Sequence, residues 1–247
     1  SEFFQVNTYG LKNILDVSKK YSIKKVVIMS SNSPCGCNPN SSHLFNEDSP
    51  YNPYMNYGKS KMDMEVIANK YYEKNLVDIT IIRAPWFYGP FQPSRQKLFF
   101  EMIRKGKAPI VGSGKNKRSM AFTENLIQGM VLSAAKSISS GKTYWISDEN
   151  PYTMNEIIDT IESIMVEKLN IKVNYGRMNL PNFVSNVAEK CDYFIQLFGL
   201  YNQKIHVLSE MNKNIACSID KAVSDLGYSP EFSLKMGMEI SLKEIYR

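Results

Sequence analysis

The sequence predicts an α/β fold: a parallel sheet covered by helices, followed by a smaller mixed C-terminal lobe. Three observations predict it. Helical and strand-like segments alternate from residue 4 to residue 146. The strand-like segments are continuous apolar runs, the pattern of strands buried on both faces. Polar loops follow the carboxyl ends of those runs, where open parallel sheets receive ligands.

Each element has its own signal. Val6, Leu11, Ile14, Leu15 and Val17 make an apolar stripe at helical spacing over 4–20. Residues 24–29 are a short β-branched strand that ends in the polar run Ser30-Ser31-Asn32-Ser33-Pro34. Residues 32–53 are rich in Asn, Ser and Pro and read as a loop, and a helix follows over 54–75. The next buried strand covers 77–82 and breaks at Ala84-Pro85 and again at Gly89-Pro90. Helices are predicted at 95–105, 123–136, 153–168, 183–199, 218–226 and 233–246, and strands at 109–114 and 142–146. The core is expected to take 1–147, with 91–118 given to the substrate lobe, and 148–247 to form the rest of that lobe. Within it, Phe183, Val184, Val187, Ala188, Cys191, Phe194, Ile195 and Phe198 form an amphipathic stripe. Packing inside the lobe is the first expectation for it, contact with a membrane or a lipid-like substrate the alternative.

Composition excludes several function classes. Apolar residues are 43% and charged residues 22% of 247, ordinary for a globular chain. No apolar run reaches the ~18 residues of a membrane span, and the first residues lack the pattern of a signal peptide, so a cytoplasmic protein is expected. The net charge of +6 is scattered. Its densest point, Lys115, Lys117 and Arg118, suits a small anionic ligand better than a nucleic acid, which needs a basic face with stacking aromatics. Four cysteines and two histidines show no metal-ligand spacing, and no metal is expected.

Tyr57 and Lys61 carry the candidate chemistry. Four residues apart on a predicted helix, they share one face. A nearby ammonium stabilises phenolate and lowers the tyrosine pKa from about 10. Such a tyrosine exchanges a proton with a substrate alcohol near neutral pH, and a serine hydroxyl can hold the same oxygen. The carbon then gives up or takes hydride, which only a nicotinamide or flavin can exchange. Among 15 tyrosines a lone pair of this spacing is weak evidence, and its context decides its weight.

That context resembles the extended short-chain dehydrogenases, in motifs spread along nearly the whole chain. Asn7-Thr8-Tyr9-Gly10-Leu11-Lys12-Asn13-Ile14-Leu15 is similar to their Asn-Val-x-Gly-Thr-x-Asn-Leu-Leu helix. Val27-Ile28-Met29-Ser30-Ser31 resembles the end of their catalytic strand, and Tyr57-Gly58-Lys59-Ser60-Lys61 their Tyr-Gly-x-Ser-Lys. Arg83 through Tyr88-Gly89-Pro90 and Asp220 through Leu226-Gly227-Tyr228-Ser229-Pro230 match two further motifs in order. The resemblance implies a Rossmann-like core and NAD or NADP as cofactor. It implies Ser31, Tyr57 and Lys61 as catalytic residues. It places Asn7, Ser30, Tyr57, Lys61, Ala84 and Pro85 at the cofactor, and Ser31, Asn32, Ser33, Trp86 and Arg118 at a small-molecule substrate. It also implies a homodimer through the helices near 4–20 and 54–75. The chain opens on a helix and contains no G-x-x-G-x-x-G or G-x-G-x-x-G. The phosphate-binding front of the sheet is therefore expected to lie outside it, and NAD is not distinguished from NADP.

The resemblance implies an oxidoreductase or epimerase acting on a secondary alcohol of a nucleotide sugar, with Arg118 where relatives place an arginine on the diphosphate. Departures keep other readings open. Ser119 replaces an aspartate and Trp86 an asparagine, which leaves a 3β-hydroxysteroid dehydrogenase-like reading. Asn32 and Ser33 stand where dehydratases carry an acid/base pair, which disfavours that branch. A non-catalytic fragment or nucleotide-sensing module is the rival outside enzymes, and intact Ser31, Tyr57 and Lys61 speak against it.

Overall fold

A computed structural model describes residues 2–247. A π-helical turn (Phe4–Tyr9) runs into α1 (Gly10–Lys20), followed by β1 (Val26–Ser31), α2 (Met55–Glu73), β2 (Ile79–Ala84) and β3 (Trp86–Tyr88). Next come α3 (Ser94–Arg104), β4 (Ala108–Val111), β5 (Lys117–Arg118), β6 (Met120–Phe122) and α4 (Thr123–Ala135). Then follow β7 (Thr143–Trp145), β8 (Tyr152–Thr153), α5 (Met154–Glu167), β9 (Arg177–Leu180), α6 (Phe183–Leu197), α7 (Gln203–Glu210), α8 (Asp220–Leu226) and α9 (Leu234–Ile245). No helix among the described residues is long and apolar enough to cross a membrane.

The chain forms two units. The first holds residues 2–85, 125–147 and 215–230. Its sheet has the order β1-β2-β7, all parallel. Strand periodicity sorts its side chains. Ile28, Ile79 and Ile81 pack with Leu11 and Leu15 of α1 and Met64 and Ala68 of α2. Ile82, Ala84 and Tyr144 pack on the other face with Leu126 of α4 and Ala222 and Leu226 of α8. This is the α/β architecture with a parallel sheet that the sequence predicts. Three boundaries differ: residues 86–90 and 119–124, expected in the core, belong to the second unit, and residues 215–230 return to the first unit rather than to the lobe. Tyr228 explains the return of 215–230, because its buried hydroxyl donates to the Ser147 carbonyl oxygen at 2.7 Å. Gly227 permits the turn, with φ at 61° in the left-handed region that closes many helices.

The second unit holds 86–124, 148–214 and 231–247. Its strands form three separate pairs: β3 with β6 and β4 with β9, both parallel, and β5 with β8, antiparallel. The core gathers Ile157, Ile158, Ile161 and Ile164 of α5 against Leu234, Met238 and Leu242 of α9. The start of α5 is fixed by a reciprocal cap between Thr153 and Glu156. Helix α6 departs from the packing expected of its stripe. Ser185, Ala188, Asp192 and Gln196 face inward, while Phe183, Val187, Phe194 and Phe198 stand exposed. The cause is its partner α7, which offers polar groups. Ser185 Oγ donates to the Leu208 carbonyl oxygen at 2.6 Å, and Asp192 pairs with His206 Nδ1 at 2.7 Å.

Candidate active site

The first turns of α2 are built to lie against the loop after β1. A Cβ on Gly58 would stand 2.6 Å from the Ser33 carbonyl oxygen, so this approach requires glycine. Backbone bonds from Tyr54 N to Ser33 O at 3.0 Å and from Asn52 N to Pro34 O at 2.9 Å fasten the same contact. Met55, with φ at 53°, takes a left-handed angle two residues before Tyr57, a conformation that costs a non-glycine residue about 1–3 kcal/mol. From the other side, the π-helical turn aims Asn7 and Thr8 at Ser60. Asn7 Nδ2 donates to Ser60 Oγ and Thr8 Oγ1 to the Ser60 carbonyl oxygen, each at 3.0 Å. Ser60 Oγ in turn donates to the Tyr57 carbonyl oxygen at 2.8 Å.

On this braced turn Tyr57 is half-buried, its ring edge-on to Phe3 with centroids 5.6 Å apart. One turn later Lys61, also half-buried, donates from Nζ to the Met29 carbonyl oxygen of β1 at 3.1 Å. Burial lowers the Lys61 pKa from 10.5, and the Glu65 carboxylate opposes that effect.

Glu65, a further turn along, is wholly buried and was not foreseen from the sequence. Its carboxylate accepts from Ser30 Oγ, from Tyr51 OH at 2.9 Å, and from Arg83 Nε and Nη2. Ser30 and Arg83 are register partners across β1 and β2, so both side chains reach the same carboxylate. The Arg83 guanidinium also lies over the rings of Tyr51 and Trp145 at 5.5 and 5.7 Å. Burial works against the Arg83 charge, and hydrogen bonds and attraction to Glu65 outweigh it, raising the pKa. A signal for Glu65 existed: Tyr57, Lys61 and Glu65 repeat every four residues on one helix. Read alone, Lys61 and Glu65 look like a surface ion pair of that spacing.

The serines of β1 therefore differ. The Ser30 hydroxyl is committed to Glu65. Ser31 Oγ instead stays at the strand end, accepting from Ser33 N at 3.1 Å and lying 3.2 Å from Ser33 Oγ. Asn32 Oδ1 is 3.5 Å from Ser31 Oγ. Ala84, paired with Ser31, and Pro85 close the carboxyl end of β2, both buried.

Trp86 and Arg118 belong to the second unit. Trp86 packs against Phe99, centroids 5.7 Å apart, and against the core of that unit. Arg118 is nine-tenths buried. Its Nη2 donates to the Glu210 carbonyl oxygen at the end of α7. Its Nε is buried without an acceptor, and among the described residues no carboxylate pairs with it.

Residues 1–147 match the family model described as the NAD dependent epimerase/dehydratase family. The chain belongs to that family. It is thus an enzyme of the extended short-chain dehydrogenase type, in a family named for its dependence on NAD. An uncharacterized protein of Sinorhizobium fredii, y4nL, is 47% identical over 98% of this chain and 68% of its own length. N-acetyl-alpha-D-glucosaminyl-diphospho-ditrans,octacis-undecaprenol 4-epimerase of Escherichia coli O157:H7 is 26% identical over 98% of this chain and 72% of its own. The crystal structure of UDP-glucuronic acid 4-epimerase from Bacillus cereus, in complex with UDP-glucuronic acid and NAD, matches with a TM-score of 0.73. It is 20% identical and covers 97% of this chain and 67% of that one. That likeness is one of fold.

Proposed function

We propose that this family member oxidises a secondary alcohol of a sugar carried on a diphosphate and returns the hydride to the same carbon, as an epimerase does. The observation that carries the chemistry is the Tyr57–Lys61–Glu65 face of α2. It sets a phenol and an ammonium one helical turn apart, with the ammonium on the Met29 carbonyl near the end of β1 and a buried ion pair one turn further along. In the oxidation, Tyr57 takes the hydroxyl proton as the carbon loses hydride. Lys61 favours the phenolate that must form first. Ser31 Oγ holds the substrate oxygen. In the return step Tyr57 gives the proton back.

NAD, when bound, takes up and returns the hydride. The donor set fits its nicotinamide end: a half-buried ammonium and two paired strand ends, Ser31 and Ala84, at the carboxyl edge of a parallel sheet. Lys61, Tyr57, Ala84 and Pro85 are the residues proposed to hold it. Asn7 and Ser30, with their side chains spent on Ser60 and Glu65, support them from behind.

Arg118 supports the diphosphate. A buried guanidinium without a carboxylate is costly unless an anion arrives, and its planar fork suits phosphate oxygens. Asn32, Ser33 and Trp86 stay proposed substrate neighbours. A steroid or other uncharged alcohol would leave Arg118 idle. Thermal-shift measurements with UDP, dTDP and GDP test this: stabilisation that vanishes in Arg118→Ala is expected. Indifference to every diphosphate, with a shift from a sterol, would overturn it. The reading includes cytoplasmic action and a homodimer through α1 and α2, which the exposed Val6, Ile14 and Val17 support.

A further inference from the structure

For Tyr57 to yield a phenolate, Lys61 has to carry its charge, yet its surroundings work against that charge. Lys61 is half-buried, and burial lowers its pKa. Its Nζ rests on neutral atoms, the Met29 carbonyl oxygen at 3.1 Å and the Met64 sulfur at 3.8 Å. Among the described residues it forms no ion pair. The anion that opposes the effect of burial is Glu65, one turn further along the same face of α2.

Glu65 is fixed where its charge acts through space rather than by contact. Four donors from three segments hold its buried carboxylate: Ser30 Oγ of β1, Tyr51 OH of the loop before α2, and Nε and Nη2 of Arg83 in β2. Ser30 and Arg83 are paired in register, and the next pair is Ser31 with Ala84. One carboxylate thus ties α2 to the strand ends that carry the site. In such a dry place a charge reaches further than it does in water. A carboxylate in direct contact would also occupy donors of the ammonium, which has three. The titratable and charged groups around Lys61 are few. Helix α2 supplies Tyr57 and Glu65, β2 supplies Arg83 and the loop supplies Tyr51, the last two both bound to Glu65, while β1 supplies only the Met29 carbonyl and the Ser30 hydroxyl.

We propose that Glu65, balanced by Arg83, is a positioning residue that keeps Lys61 in its ammonium form for Tyr57. This rests on the acid–base reading of Tyr57 and Lys61 and deepens it. Each member of the pair needs the other. Without Arg83, a carboxylate so deeply buried would itself take up a proton. Without Glu65, the Arg83 cation would repel the ammonium. A role confined to stability requires only that the pair be neutral as a whole. The two members are not equivalent toward Lys61, however: Glu65 acts on its charge one helical turn away, and Arg83 stands on the neighbouring strand.

Labelling of the full chain with an amine-acylating reagent, from about pH 6 to about pH 10 and read lysine by lysine in a mass spectrometer, tests this without substrate or NAD. Only the neutral amine reacts, so each lysine gives a midpoint, which reports its charge, and a plateau, which reports its access. Glu65→Gln removes the anion and leaves the cation, and both changes disfavour the ammonium. The Lys61 midpoint is expected to fall, speeding its labelling near neutrality about ten-fold, the change that one step of pKa brings. Exposed Lys59, on the same peptide, should be unmoved. Glu65→Gln/Arg83→Gln leaves no buried charge unpaired and is expected to fold even where the single variant does not. Its Lys61 midpoint should lie below the parent's and above that of Glu65→Gln. Where turnover is followed, the alkaline limb of its pH profile in Glu65→Gln should move down with the Lys61 midpoint. A midpoint that stays at the parent value in both variants, a plateau that rises while the midpoint holds, a double variant that falls as far as the single one, or an alkaline limb that does not move would overturn the proposal and leave the chemistry of Tyr57 and Lys61 standing. Parent turnover in a folded Tyr57→Phe protein would instead sink that chemistry and the role of Glu65 with it.

Discussion

Glu65 gathers donors from three segments on one buried carboxylate, Ser30 from β1, Tyr51 from the loop before α2 and Arg83 from β2. Removing one member leaves the other charge buried and unpaired, which costs about 3–5 kcal/mol. Glu65→Ala is therefore expected to lose stability on that scale in chemical denaturation, and Glu65→Gln somewhat less, because its amide oxygen can still accept from part of this donor set while its nitrogen cannot. Lys61 runs the other way. Its folded pKa is below 10.5, so its charge is disfavoured by folding at neutral pH, and that penalty disappears once both states are neutral. Lys61→Met is expected to be more stable than the parent near neutrality, with the gap closing as pH climbs toward 10.5. A gap that widens with pH would contradict the burial reading. Among the thiols, burial pushes Cys35 up to about 11, whereas Cys191 is exposed. A thiol reagent under mildly alkaline, native conditions should modify Cys191 and spare Cys35. Ser31, Tyr57 and Lys61 were singled out from the sequence because their motifs, read in order, resemble those of the extended short-chain dehydrogenases, and their roles are those proposed above. Glu65 was not, because its partner Arg83 is 18 positions away and only the sheet register brings it near.

At the scale of elements, the helices and the sheet strands followed their periodicity. The predicted helix over 54–75 is α2 at Met55–Glu73, and the strand over 77–82 is β2 at Ile79–Ala84. The elements that escaped prediction are short. Strands β3, β5, β6 and β8 have two or three residues each, too few to show any alternation. Helix α7 has eight residues and starts on an Asn202 cap that resembles a loop residue. The stripe of α6 was read correctly as apolar, but which side it presents depends on α7, and a helix's own sequence does not specify its partner. Gly58 is the position where element packing and chemistry meet. Gly58→Ala would drive a Cβ into the Ser33 carbonyl oxygen, a backbone atom that cannot rotate away. A loss of about 1–3 kcal/mol is expected, the usual range for overpacking, together with lower activity because Tyr57 is the preceding residue. Unchanged melting and turnover would show that the loop after β1 yields freely.

For the whole molecule, the order of motifs carried more than any single one. The family and the α/β class follow from helix, strand, Ser pair, Tyr-x-x-x-Lys and closing Leu-Gly-Tyr in sequence, and residues 1–147 match the family accordingly. The return of 215–230 to the first unit was not legible, since it depends on Tyr228 reaching the Ser147 carbonyl across 81 positions. Tyr228→Phe should cost about 1 kcal/mol, the worth of one hydrogen bond. Dimerisation through α1 and α2 is open to sedimentation: Val17→Glu on the exposed face of α1 should yield monomers, and a dimer that persists would place the interface elsewhere.

The most direct test of the proposed chemistry is a single-turnover measurement of nicotinamide reduction with a sugar diphosphate, comparing the full protein with its Tyr57→Phe variant. The ring stays and only the hydroxyl goes, so melting should be unchanged. The rate should fall about 10²–10⁴-fold, the usual contribution of a general acid–base group. Reduction at the parent rate in a folded Tyr57→Phe protein would contradict the role given to Tyr57 and, with it, the chemistry proposed for the face of α2.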